Sequence, residues 1–324
     1  MNIKAAVILT GAVFFAAATL VNAQTPGTTS GTTLITLGTA GGPVPRADRA
    51  QPSYLLIVNG TLYLIDAGGG VTGRVVQSGN NFRKVGKIFI THAHSDHTAG
   101  LATLLVSEWE QQAEPIDIYG SGVEALVKGA IDYLTPNADI RWSEGKKRPM
   151  ADMFHGHDVS PGVIYQDANV KVTAVENTHF NFKPGDPAYG KYKSYSYRFD
   201  TPDRVVFFTG DTGPSDAVTD LAKGADLYVT ETTSPEEVVE MYKKNGTWQS
   251  KTAGEQEGFL RHMHEEHVTP EDIGKMAAKA GVKAVVMSHL GPTVDPHDNY
   301  ARYVDEAKKY YSGPITIATD LMKF

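Results

Sequence analysis

The sequence predicts a layered α/β protein. Three observations carry that expectation. Short apolar runs rich in β-branched and aromatic residues recur along the chain, helical stretches with capping signals lie between them, and several runs end in a side chain able to hold a metal ion. The 324 residues, 41% hydrophobic and 21% charged, suffice for one large domain with ample core.

The first residues stand outside that pattern. Met1-Asn2-Ile3-Lys4 begins with a positive charge, residues 5–20 are apolar and uncharged, and Val21 and Ala23 place small residues before Gln24. This layout predicts a secretory signal over residues 1–23, hence an exported protein, periplasmic or secreted, with no stable membrane insertion after cleavage. A flexible Thr/Gly/Ser-rich leader is expected over residues 24–33 and a single domain over residues 34–324.

Residues 34–37 read as the first strand, followed by a glycine-rich loop that lacks the lysine of a phosphate-binding loop. Residues 54–58 and 62–65 form a hairpin through Asn59-Gly60. The second of these strands stops at Asp66-Ala67-Gly68-Gly69-Gly70, where glycines let other backbone come close. Residues 87–90 form a buried strand that delivers Thr91-His92-Ala93-His94-Ser95-Asp96-His97. A helix over residues 98–110 follows, with Leu101, Leu104, Leu105 and Trp109 on one face. Three imidazoles and a carboxylate at the end of one strand are rare by chance and predict a metal site.

Residues 116–120 read as a strand and 123–134 as a helix. Residues 135–168 mix Pro, Gly and charge, and are expected to form a loop region, an edge or lid of the pocket. Within it Lys146-Lys147-Arg148 reads as solvated surface, and His155 and His157 as bystanders. Residues 170–175 form a strand ending near His179; strands at 195–199 and 204–208 follow a Tyr-rich loop, the second running into Thr209-Gly210-Asp211. A strand at 226–230 precedes Glu231. Ser234-Pro235-Glu236-Glu237 and Thr269-Pro270-Glu271-Asp272 cap helices that stop near Asn245-Gly246 and at Gly281, with residues 247–260 read as loop between them. A last strand, 284–287, ends at Ser288-His289.

The chain has no cysteine, so neither a disulfide nor a thiolate ligand or nucleophile is available. A metal site must be built from His and carboxylate, a set suited to zinc first, and to manganese or iron. The formal charge is −7, and loss of Lys4 with the signal makes it −8, an acidic balance that argues against a nucleic-acid partner.

His92-Ala93-His94-Ser95-Asp96-His97, with Thr178-His179, Thr209-Gly210-Asp211-Thr212, Thr230-Glu231, His267-Val268-Thr269 and Ser288-His289, resembles the signature set of the metallo-β-lactamase superfamily, in its ribonuclease Z and arylsulfatase-like branch. The resemblance implies a four-layered αββα sandwich with a two-metal site. His92, His94 and His179 would hold one divalent ion, Asp96, His97 and His289 the other, and Asp211 would bridge them. A hydroxide between the ions would be the nucleophile, since such ions lower the pKa of water from about 15.7 toward roughly 7. His267, oriented by Glu231, would assist the leaving group, with Asp96 also acting at the reacting centre. His262 and His264 receive no role.

The implied function is an exported binuclear hydrolase of small esters, phosphodiester or aryl sulfate. A lactonase or β-lactamase acting on a cyclic carbonyl is the alternative, and a non-catalytic metal-binding protein a third reading. A tRNA substrate fits poorly, because the interval from His179 to Asp211 is short for the clamping arm of the processing enzymes. Tyr189, Tyr192, Tyr195, Tyr197 and Trp248 could line the pocket or simply pack. The oligomeric state stays open, a dimer being compatible with the sequence.

Overall fold

Alternation along the strands decides the architecture. The computed structural model describes residues 30–324 except 112, 147, 294, 296 and 297; the expected signal and most of the leader lie outside the described residues. β1 (Thr32–Gly38), β2 (Ser53–Val58), β3 (Thr61–Ile65), β4 (Val85–Phe89), β5 (Ile116–Gly120) and β6 (Phe154–Asp158) build the first sheet. β7 (Gly162–Gln166), β8 (Lys171–Glu176), β9 (Tyr195–Asp200), β10 (Val205–Phe208), β11 (Leu227–Thr232), β12 (Val285–Leu290) and β13 (Ile315–Ile317) build the second, and β14 (Met322–Lys323) returns to pair with β1.

Successive side chains of a strand face opposite ways, and both faces are apolar here. Leu55, Leu64 and Ile88 pack toward one core, whereas their neighbours Leu56, Ile65 and Phe89 face another. In the second sheet Val206, Phe208 and Val229 join that shared core, and Phe207, Tyr228 and Met287 enter a third. Sheets packed face to face and covered outside by helices make the four-layered αββα sandwich that the resemblance implies. On the first sheet lie α1 (Val71–Gln77), α3 (Leu101–Glu110) and α4 (Val123–Ser143), with the one-turn α2 (Ser95–Thr98) before α3. On the second lie α5 (Asp216–Leu221), α8 (Pro270–Ala280) and α9 (Ala301–Ala307); α6 (Pro235–Lys244) and α7 (Ala253–Glu265) pack on each other. Among the described residues no helix is long and apolar enough to cross a membrane.

Four expectations change. β1 begins at Thr32, two residues inside the expected leader, because Thr32 is held by Asp203. Residues 135–168 are not a lid: α4 runs through Pro136 to Ser143, anchored by Leu134 and Ala138, and β6 and β7 close the edges of the two sheets. α1 is not expected from the sequence, because Gly73 lowers helix propensity, yet Val71 and Val75 fill the first core. Residues 253–260 belong to α7, opened by a capping box between Thr252 and Glu255 that Gly254 and Gly258 obscure in the sequence.

Parallel pairing sets the site. β10, β11 and β12 run parallel, and β8 shares their direction because β9 is antiparallel to both β8 and β10. Their C-terminal ends therefore lie along one edge, where the loop after β4 also arrives.

Candidate metal centre and cleft

Each strand end contributes one part. The turn after β4 carries His92 and His94, and α2 carries Asp96 and His97. His179 follows β8, Asp211 follows β10, Glu231 lies in β11 and His289 near the end of β12. His289 sits at φ 41° and Asp66 at φ 57°, left-handed conformations uncommon for residues with a Cβ. Such local strain persists where the surroundings over-determine it.

The side chains converge. His94 Nδ1 lies 3.0 Å from His92 Nε2 and 3.1 Å from His179 Nε2. His289 Nε2 lies 3.2 Å from Asp96 Oδ2 and 3.2 Å from Asp211 Oδ2, while His97 Nε2 is 3.4 Å from Asp211 Oδ1. The donor atoms of His92, His94 and His179 fall within 4.8 Å of one another, as do those of Asp96, His97 and His289; Asp211 groups with His92 and His97 and again with His289. The structure brings all seven expected ligands together at one place, with His92 also within reach of His97 and Asp211.

The donor set fits a pair of divalent cations. His97 Nε2 and Asp211 Oδ1 are buried without a hydrogen-bond partner among the described residues. Buried polar atoms are rarely left so, and a cation would satisfy both. Burial disfavours charge on His97, yet Asp211, Asp66 and Asp96 outweigh it and hold its pKa well above the ordinary value. The carboxylates thus set a negative local field that favours a cation, a proton on His97 or a metal ion in its place. His92 and His179, buried among other imidazoles, are held well below the ordinary range, the neutral form in which a ring nitrogen can ligate.

Groups behind the ligands fix their orientation. His97 Nδ1 donates to Asp66 Oδ2 at 2.8 Å, and Asp66 Oδ1 accepts from the Thr91 amide at 2.8 Å. His179 Nδ1 donates to the Glu266 carbonyl at 2.9 Å. In both rings this turns Nε2 toward the centre, where His179 offers a lone pair and His97 offers one once a metal ion displaces its proton. Neither support is among the site residues expected from the sequence, although the Asp66 strand end matches the resembled branch. Asp66 carries a signal, a carboxylate at the end of a buried strand, whereas a backbone carbonyl carries none.

His267 Nδ1 donates to Glu231 Oε2 at 2.6 Å, so Nε2 is turned outward. Burial opposes charge on His267, but the Glu231 carboxylate offsets it and the pKa is pushed up to about 9. His262, without a role in the sequence reading, repeats the arrangement: Nδ1 lies 2.7 Å from Glu266 Oε2 and Nε2 lies 3.3 Å from His267 Nε2. His264 is exposed on α7. His155 and His157 sit on β6 beside Asp117, outside the cleft.

The centre opens through His94, which is solvent-exposed, into a cleft of about 920 Å³. His94, Asp96, His179, Asp211, Glu231, His262, His267 and His289 line its floor. The tyrosine-rich segment does not line it. Tyr195 and Tyr197 are core residues whose hydroxyls donate to Val159 and Ile90 carbonyls, Tyr189 and Tyr192 are exposed, and Trp248 packs against Phe259. Apolar lining comes instead from Val238, Met241 and Tyr242 of α6 and Phe259 and Met263 of α7.

Residues 61–290 match the family model described as a beta-lactamase superfamily domain. Ribonuclease Z of Mycobacterium bovis (strain BCG / Pasteur 1173P2) is 25% identical over 292 residues, 89% of this chain and 96% of that protein. Among solved structures, the metallo-beta-lactamase fold protein YhfI of Bacillus subtilis superposes with a TM-score of 0.64 at 19% identity, covering 90% of this chain and 98% of that one. The short form of human tRNase Z gives a TM-score of 0.59 at 20% identity, with coverage of 90% and 98%.

Proposed function

Because the chain belongs to the metallo-β-lactamase superfamily, in its ribonuclease Z branch of metal-dependent hydrolases, we propose that it is an exported binuclear hydrolase of small phosphodiester or aryl sulfate esters. The observation that carries this reading is the gathering of His92, His94 and His179 on one side of Asp211, and of Asp96, His97 and His289 on the other, at the floor of an open cleft. When bound, two divalent ions, zinc first and manganese or iron otherwise, would supply a nucleophile drawn from water and polarise the ester oxygen.

The chain's own residues do the rest. Asp66 and the Glu266 carbonyl hold His97 and His179 with Nε2 toward the centre. Glu231 keeps the proton of His267 on Nδ1, and Nε2 hands its own proton to the departing oxygen. That service matters most for a poor leaving group such as an alkoxide. Asp96 and Asp211 crowd negative charge beside His289 and His97, orienting both rings.

Export rests on the N-terminal sequence, and a mature protein recovered outside the cytoplasm would begin at Gln24; a retained Met1 would overturn it. The activity is tested with metal-replete protein on an aryl phosphodiester, an aryl sulfate, a lactone, a cephalosporin and a short RNA. Turnover of either of the first two, lost on chelation and restored by zinc, manganese or iron, is expected. Turnover confined to the lactone and cephalosporin would sink the reading. RNA cleavage without small-ester turnover would replace it with the activity named for the mycobacterial relative.

A further inference from the structure

We propose that the apolar face of α6 and α7 is the leaving-group subsite, and that the substrate is an ester of an uncharged, apolar phenol or alcohol. The inference rests on the hydrolase reading above. Val238, Met241, Tyr242, Phe259 and Met263 form one continuous wall of the cleft, with the Tyr242 and Phe259 rings 5.2 Å apart. Val44 lines the cleft too and is 66% exposed, an apolar side chain left in water.

Position assigns this wall to the departing group. Phe259 and Met263, four residues apart on one face of α7, line the same cleft as His262 and His267, whose Nε2 atoms lie 3.3 Å apart. The oxygen that takes the proton from His267 Nε2 is therefore next to the wall. In the reaction, water's oxygen bonds to phosphorus or sulfur and the bond to the departing oxygen breaks. That oxygen leaves as the alcohol with the His267 proton, which the proton released by water replaces.

Charge argues against a polyanion. Among the described residues lining the cleft Arg46 is the sole lysine or arginine, and Asp48 offsets it; Asp96 and Asp211 belong to the metal centre and Glu231 to His267. The Arg46 guanidinium is occupied, with Nε 3.1 Å and Nη2 2.9 Å from the Asp48 carboxylate and Nη1 3.0 Å from the Tyr300 hydroxyl. Among the described lining residues a nucleic-acid strand would find no free lysine or arginine, the His267 charge and the expected metal ions being confined to the floor, whereas an apolar group would bury area.

A series of ethyl 4-alkylphenyl phosphates tests the subsite, because lengthening the alkyl chain barely alters the acidity of the phenol. From methyl to pentyl, kcat/KM should rise roughly two- to fourfold per methylene, and Phe259→Ala and Met241→Ala should each flatten the dependence. Leu260→Ala, on the exposed side of α7, should keep it. A flat series in the wild-type protein would overturn the proposal while leaving the hydrolase reading intact. Calorimetric titration with 4-pentylphenol gives an independent readout. If no ester is turned over, the hydrolase reading fails and the leaving-group assignment with it. Binding weakened at least fivefold by Phe259→Ala would then uphold the wall only as a site for an apolar phenol, whereas unchanged or absent binding would remove that too.

Discussion

Two carboxylates, Asp66 and Glu231, each accept a hydrogen bond from the Nδ1–H of a histidine, yet the two histidines end in different circumstances. Nε2 of His97 points into a buried cluster of carboxylates, whereas Nε2 of His267 points into the cleft. His267→Asn should therefore lower kcat on an alkyl phosphodiester by about 10²–10³, and by less than tenfold on a nitrophenyl ester, whose leaving group needs no proton. Equal losses on both would remove the donor role. A third carboxylate behaves otherwise. Glu108 of α3 is fully buried, neither oxygen has a hydrogen-bond partner among the described residues, and burial pushes its pKa up to about 9. The folded protein then holds a proton that the unfolded chain releases above its ordinary carboxylate pKa. Stability contributed this way is complete at low pH and falls as pH rises toward 9, by up to roughly 1.4 kcal/mol per unit. Glu108→Leu should flatten that fall in denaturant titrations between pH 5 and 8; an unchanged slope would show the carboxylate to be ionised in the fold.

At the scale of elements, contacts between loops hold the ligands in place. A Cβ added to Gly213 would lie 1.8 Å from the Glu265 carbonyl oxygen, so the turn after β10 and the end of α7 touch through backbone alone. The adjacent Glu266 carbonyl holds His179. Gly213→Ala should cost about 1–3 kcal/mol in thermal or chemical melts, and weaken metal affinity about 10–100-fold through the displaced support. A variant with normal metal affinity would show that α7 does not position His179. Gly68 plays the same part on the other side, its would-be Cβ lying 2.3 Å from the Asp96 carbonyl oxygen.

For the whole molecule, the centre joins the two halves of the sandwich: His92, His94, Asp96 and His97 come from the first sheet's side, and His179, Asp211 and His289 from the second. An ion bound there binds the folded state alone and should stabilise it, by about 2.7 kcal/mol at a hundredfold excess over Kd. Zinc added to metal-free protein should raise the melting temperature by several degrees, and Asp211→Asn should abolish most of the rise. An equal rise in both proteins would place the ion elsewhere.

Strand ends, helix caps and the side chains that converge at the centre were legible in sequence because they rest on local chemistry: β-branched runs, Ser234 and Thr269 caps, and a histidine cluster whose spacing has few other uses. Where glycine or proline blurred the local signal, as at Gly254, Gly258 and Pro136, the sequence understated helix that packing or capping supplied. The cleft was decided only in three dimensions. Its apolar wall joins α6 and α7, the support of His179 is a backbone carbonyl, and the tyrosines that looked available are spent in the core or exposed elsewhere. Which side chains border a void depends on how distant elements pack, and no spacing along one chain encodes that directly.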